Sequence, residues 1–133
     1  MKAHETTLRV RYAETDAMRV VYYGNYFTYF EVGRCELVRQ LGVSYAEWER
    51  REGIYLAVVE ASCRYSAPAR YDDLLTVRTT LEQVRSRSLI FRYEIVQADT
   101  GKLIAEGRTA HVCVNGEGRP VEIPASLRTM LEG

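Results

Sequence analysis

Cysteine is scarce and scattered. Cys35, Cys63 and Cys113 lie far apart, odd in number and without a CxxC pair, which excludes a disulfide framework or a zinc knuckle and fits small apolar packing in a reducing cytosol. Histidine is rarer still: His4 lies near the amino terminus and His111 in the last strand. Neither has a partner at metal-ligand spacing, so no metal site is expected. Net charge is missing, with 18 basic against 18 acidic side chains, which argues against a general affinity for nucleic acid or anionic membrane. No run approaches the roughly 18 apolar residues of a membrane span, and the opening MKAHETTLRVRY lacks the apolar core of a signal peptide. A soluble, cytoplasmic protein is expected. There is no P-loop and no GxGxxG, which removes nucleotide hydrolysis and dinucleotide binding, and no cofactor is expected. Repeats, linkers and low-complexity tracts are absent, so residues 1–133 read as one domain that buries roughly two thirds of its unfolded surface.

What the chain has in abundance is tyrosine: ten, against three Phe and one Trp. Amphipathic rings in that number suit a wet cleft or a subunit interface. The organising stretch is Tyr12 to Leu41, which opens with a loop holding Asp16 and the run Val20 to Tyr23. From about Gly24 it becomes the longest helix-period segment, with Phe27, Phe30, Arg34, Leu37, Val38 and Leu41 at steps of three and four. Apolar side chains around most of its circumference predict a buried helix. Gly33 in its interior predicts a close approach by a neighbouring backbone. An acid just before a helix amino end meets free N–H groups and the positive end of the macrodipole, where negative charge on a carbonyl oxygen is stabilised.

In chain order, Thr6 to Tyr12 alternates as a strand. Ser44 opens a second short helix with Glu47 at the capping-box position and Gly53 at its end. From Ile54 the period becomes two, with Ala57, Val59, Ala61, Cys63 and Tyr65 on one face, and Pro68 and Tyr71-Asp72-Asp73 mark a turn. Leu75, Val77, Thr79 and Leu81 define the next strand, then Leu89, Phe91, Tyr93 and Ile95. The last, Lys102 to Val114, carries Gly107, read as a bend or bulge. Arg85 to Ser88 and Asp99-Thr100-Gly101 are short hairpin turns, Asn115-Gly116 is a further turn, and Pro124 starts a terminal helix over Ala125 to Leu131. The order predicts an α+β domain whose antiparallel sheet covers the long helix.

The pattern Tyr12-x-x-Thr15-Asp16-x-x-x-Val20-Val21-Tyr22-Tyr23-Gly24-Asn25-Tyr26, then Phe30-Glu31-x-x-Arg34-x-Glu36, Val58-Val59-Glu60 and Tyr65-x-x-Pro68-Ala69-x-Tyr71-Asp72-Asp73, resembles hotdog-fold acyl-CoA thioesterases of the 4-hydroxybenzoyl-CoA thioesterase type. The resemblance implies a curved antiparallel sheet around a central helix, with a homodimer that pairs into a homotetramer and active sites at the dimer interface. It also implies that Asp16 is the catalytic carboxylate and that the backbone N–H of Tyr23 polarises the thioester carbonyl of an acyl-CoA. Val21, Tyr22, Asn25 and Tyr26 then fall on the substrate cleft. Two positions depart from one branch of those relatives: Met18-Arg19 stands where they place two glycines, and Tyr23 where they place histidine.

Thioester hydrolysis needs a nucleophile or activated water and donors for the oxyanion, and little acid assistance because a thiolate leaves readily. Asp16 and a helix end supply the first two. Spacing alone favours Thr15 or Asp16 as a mere turn or N-cap, and the extended resemblance reverses that preference. Arg85, Ser86 and Arg87 have donors suited to CoA phosphates, a use the family makes of this turn, and a solvated hairpin is the alternative. Asn25 orients a substrate or caps the helix, Glu60 lines the cleft or faces solvent, and Arg34 with Glu31 forms a structural pair. Three competing functions stay open: a hotdog dehydratase, which needs a histidine paired with an acid; a non-enzymatic acyl-CoA-binding module; and a structural subunit of a larger assembly.

Overall fold

In the computed structural model, which describes residues 2–133, five strands form one curved antiparallel sheet. They are β1 (Ala3–Arg9), β2 (Ile54–Tyr65), β3 (Leu74–Val84), β4 (Ser88–Gln97) and β5 (Leu103–Asn115), paired in the order β1-β3-β4-β5-β2. Three helices complete the chain: α1 (Asn25–Gln40), α2 (Tyr45–Glu52) and α3 (Ala125–Glu132). This is the α+β hotdog arrangement, with α1 against the inner face of the sheet.

The period-two reading of β3 and β4 matches their buried faces. Leu75, Val77, Thr79 and Leu81 face inward beside Leu89, Phe91, Tyr93 and Ile95. Above them α1 buries Tyr26, Tyr29, Phe30, Gly33, Leu37 and Val38, a single face at steps of three and four. The expectation of burial around most of the circumference is therefore corrected: Thr28, Glu31 and Arg39 face solvent, and Glu36 pairs with Arg39. The reason for Gly33 differs too. A Cβ there would collide with the Thr79 hydroxyl and with Val77 Cγ1 at 2.7 Å, so side chains of β3, rather than a backbone, require the glycine.

Gly107 serves the same purpose from the sheet side. The Phe30 ring, stacked on Tyr93 at 4.3 Å, would lie 2.7 Å from a Cβ at that position, and the Ser62 carbonyl is closer still. No register shift falls at Gly107. The irregularities lie instead between Val58 and Glu60, Leu81 and Gln83, and Ile95 and Val96. The first of these corrects the face assignment of β2. Ala61, Cys63 and Tyr65 oppose the inward Thr109, Gly107 and Ala105, as expected, but across the bulge Leu56 and Val58 oppose Cys113 and His111. The inward set thus switches from odd to even numbers, because one extra residue in a strand inverts every alternation beyond it.

β1 begins and ends three residues before the predicted limits. The chain leaves the sheet once Val10 exchanges backbone hydrogen bonds with Asp72 and Asp73, and Tyr12–Glu14 closes a 3-10 turn. The caps of α2 are as read: Ser44 Oγ accepts from Glu47 N at 3.2 Å, and Gly53 has φ 65°. Among the described residues no helix is long and apolar enough to cross a membrane. β2 is an outer strand of twelve residues, and Val58 and Val59 on it are 49% and 61% exposed.

Candidate active site

A tight loop carries Asp16. Its N–H donates to the Val20 carbonyl, its carbonyl accepts from Arg19 N, and its Oδ1 accepts from Met18 N, each at 2.9 Å. Thr15 Oγ1 donates to the Tyr12 carbonyl at 2.7 Å, and Thr15 bridges Val21 across the loop. Arg19 takes φ 65°, a conformation that costs an L residue roughly 1 kcal/mol and that glycine adopts freely. This gives the physical meaning of the Met18-Arg19 departure: the glycine-favouring geometry is kept without the glycine.

Asp16 precedes α1 by nine residues, yet the chain folds back to the helix. Tyr22 N donates to the Glu14 carbonyl at 2.9 Å, and Asn25 Nδ2 reaches the same oxygen at 2.8 Å. Asn25 thus ties α1 to the Asp16 loop. The free N–H groups expected at the helix start lie one and two residues before the helix itself. Asn25, Tyr26 and Phe27 donate to the carbonyls of Tyr22, Tyr23 and Gly24, whereas among the described residues the N–H groups of Tyr23 and Gly24 donate to no protein acceptor.

Asp16, Val21, Tyr23 and Tyr26 line one cleft of roughly 370 Å³, together with Val20, Tyr65, Ser66, Ala67 and Pro68. Tyr22 is not among the residues that line it; it is 48% exposed, its ring 4.7 Å from that of Tyr23. Tyr26 is buried; desolvation pushes its phenol up to about 12 against the opposing effect of a backbone hydrogen bond from Ala69, so it forms a neutral wall. The wall continues through Tyr65, whose ring lies 5.4 Å from Tyr26 and whose hydroxyl donates to the Tyr23 carbonyl at 3.2 Å. On the other side of Asp16, a hollow of roughly 610 Å³ is bordered by Tyr12, Arg19 and Tyr71.

Arg85, Ser86 and Arg87 are not brought to this cleft by the same chain. The Asp16 loop packs at the Asp73 end of β3, while the turn follows Val84, ten residue steps or about 33 Å of strand away. The turn is well fixed there: Arg85 N donates to the Ser88 carbonyl, Cys113 N to that of Arg87 and Ile123 N to that of Ser86. His111 lies at that far end as well, opposite Val58. Burial, and then the Arg34 charge, lower its pKa to about 4 despite the facing Leu56 carbonyl, and its Nε2 bonds Thr109 Oγ1 at 2.8 Å. Glu60 is exposed, and Arg34 faces Glu31 at 4.0 Å. Among the described residues no cluster of His, Cys, Asp and Glu could hold a metal ion.

Sequence reasoning assigned no role to Tyr65 or to Glu14, the residue on which the loop, Tyr22 and Asn25 converge. Tyr65 carried a signal, its fixed spacing to Pro68. Glu14 carried none beyond its nearness to Asp16.

Residues 10–131 match the family model described as the thioesterase-like superfamily. The acyl-CoA thioester hydrolase YbgC of Escherichia coli is 34% identical over 121 residues, covering 90% of this chain and 89% of that one. The crystal structure of the protein TT1821 from Thermus thermophilus is 39% identical, with TM-score 0.91 and 96% of each chain covered. The DHNA-CoA thioesterase of Staphylococcus aureus is 31% identical, with TM-score 0.93, covering 99% of this chain and 90% of that one.

Proposed function

The chain belongs to the thioesterase-like superfamily, and from that premise we propose that it hydrolyses an acyl-CoA thioester to free acid and CoA in the cleft between Asp16 and Tyr23. The observation that carries this reading is the pairing in one cleft of a carboxylate with backbone N–H groups that donate to no protein acceptor among the described residues. A carbonyl oxygen gaining negative charge takes up those donors. Asp16 acts as nucleophile: its oxygen bonds to the acyl carbon, the C–S bond breaks, and CoA leaves as the thiolate. Water then opens the mixed anhydride, releasing the acid and restoring the carboxylate. Val21, Tyr23, Tyr26 and Tyr65 hold the acyl group and exclude water, which favours attack by a carboxylate already in contact.

CoA binding joins two copies of the chain. A turn about 33 Å away along β3 serves the Asp16 cleft only from another copy, so Arg85, Ser86 and Arg87 of one chain take the phosphates of CoA bound at the Asp16 of another. The exposed outer edge of β2 supports a two-fold pairing of this kind, giving a homodimer that pairs into a homotetramer in the cytoplasm. A dehydratase is disfavoured by the distance of His111 from Asp16, and a pure binding module has no use for the carboxylate.

A panel of acyl-CoAs with a thiol reagent tests the reaction. Release of free CoA is expected; binding without release refutes it. With enzyme in excess over substrate in ¹⁸O-water, attack of water at the aspartyl carbon places label in the Asp16 side chain, which a general-base mechanism cannot do. A peptide containing Asp16 that stays unlabelled while the product acid is labelled moves the assignment toward the base.

A further inference from the structure

We propose that Glu14 is a positioning residue that holds the Asp16 carboxylate and the Tyr23 N–H in register, and that it does so through Tyr29. The inference rests on the thioesterase reading of the same cleft. Glu14 lies two residues from Asp16, and its own backbone carbonyl accepts from both Tyr22 N at 2.9 Å and Asn25 Nδ2 at 2.8 Å. One oxygen therefore fixes the peptide N–H of Tyr22, the residue before Tyr23, and the side chain of Asn25, the first residue of α1. Asp16 and Tyr23 are attached to either side of that oxygen, so any displacement of Glu14 changes the spacing between them.

The side chain keeps that carbonyl in place. Glu14 Oε1 accepts from Arg11 N at 2.8 Å and from the Tyr29 hydroxyl at 2.8 Å, and Oε2 accepts from Arg11 Nε at 3.0 Å. Tyr29 is 2% exposed and belongs to the buried face of α1. A buried aromatic in a close-packed core has almost no freedom to move, so its hydroxyl is a fixed reference. Charge-assisted bonds of this kind are stronger than neutral ones, and the carboxylate is 12% exposed. Burial alone would raise its pKa, but the Arg11 N–H, the Tyr29 hydroxyl and the Arg11 guanidinium outweigh it and hold Glu14 below the usual carboxylate range. It is a carboxylate committed to structure, with its donors already placed. The fold thus transmits the rigidity of α1 to a surface loop that carries the reacting group.

Glu14→Ala, Glu14→Gln and Tyr29→Phe separate positioning from mere support of the fold. For folded enzyme well below its melting temperature, Glu14→Ala is expected to lower kcat by one to two orders of magnitude with KM within about twofold, because the loss falls on alignment rather than on binding. Glu14→Gln keeps an acceptor for Tyr29 and Arg11 N and should recover most of kcat. Tyr29→Phe should lose severalfold, and in combination with Glu14→Ala should cost nothing further, since the two act as one unit. A residue that only supports the fold would lower the melting temperature and leave kcat per folded chain unchanged, and that result overturns the proposal. A second reading does not depend on turnover: amide exchange over residues 16–24 should accelerate at least tenfold in Glu14→Ala and Tyr29→Phe relative to the rest of the chain. Unchanged exchange there contradicts the proposal even if the enzyme is active. A parent protein that releases no CoA, with exchange accelerated as expected, refutes the thioesterase reading and leaves the loop lock standing.

Discussion

At the scale of the residue, His111 and Glu14 shape the dependence of stability on pH. His111 is 1% exposed, and its imidazole is held neutral by burial and by the Arg34 charge. An unfolded histidine takes up a proton near pH 6.5, whereas the native one does so only near 4. Between those values the unfolded state binds more protons, so stability falls as pH drops through that window, by an amount of order 3 kcal/mol. The urea midpoint of the parent should fall between pH 7 and pH 4.5 more than that of His111→Leu. Glu14 acts in the same direction through its charged form: its lowered pKa stabilises the fold above the ordinary carboxylate range, and this stability is lost as pH falls below it. Acid sensitivity below about pH 4.5 should accordingly be weaker in Glu14→Gln, as read from melting curves against pH.

At the scale of the element, glycine placement decides how closely α1 sits on the sheet. Gly33→Ala would gain about 1 kcal/mol of helix propensity, but its methyl meets Val77 Cγ1 and Thr79 Oγ1. Overpacking of that kind typically costs 1–3 kcal/mol, so the net effect should be a loss, measurable by chemical denaturation at constant m-value. The β3–β4 turn carries a second prediction. Removing the guanidinium groups of Arg85 and Arg87 together should raise KM for acyl-CoA about tenfold or more with kcat little changed, and leave a pantetheine thioester without the nucleotide unaffected.

Much of this level was legible in the sequence. Alternation places the inward faces of β3 and β4 correctly because no irregularity falls within Leu75 to Leu81 or Leu89 to Ile95. The capping residues mark α2 because their chemistry is local. The sequence of β2 suggests one continuous face because an extra residue between Val58 and Glu60 leaves no mark in the pattern of apolar side chains. The extended motif marks Asp16 and Tyr23, which the fold brings to one cleft. The hydrogen bonds of Glu14 and Tyr65 carry no such mark, since they join residues 15 and 42 positions apart, and only the folded chain brings these together.

At the scale of the whole molecule, the role proposed for Arg85 and Arg87 makes one chain an incomplete enzyme. The outer edge of β2 presents twelve residues of unpaired strand with apolar side chains exposed along it, a surface that proteins cover or pair. Light scattering should give a multiple of the 15.3 kDa chain mass, and Val59→Lys should shift the mass toward the single chain while abolishing turnover. A fully active monomer would separate catalysis from assembly and remove the role given to the distant arginine turn. In the proposed mechanism Asp16 performs the chemistry and does not merely form a turn. Steady-state hydrolysis of acyl-CoA by parent and Asp16→Asn tests it most directly, because the change is nearly isosteric and keeps an oxygen to accept from Met18 N. The account predicts that kcat falls by at least 10²-fold while acyl-CoA still binds with comparable affinity. Undiminished turnover by Asp16→Asn would contradict it.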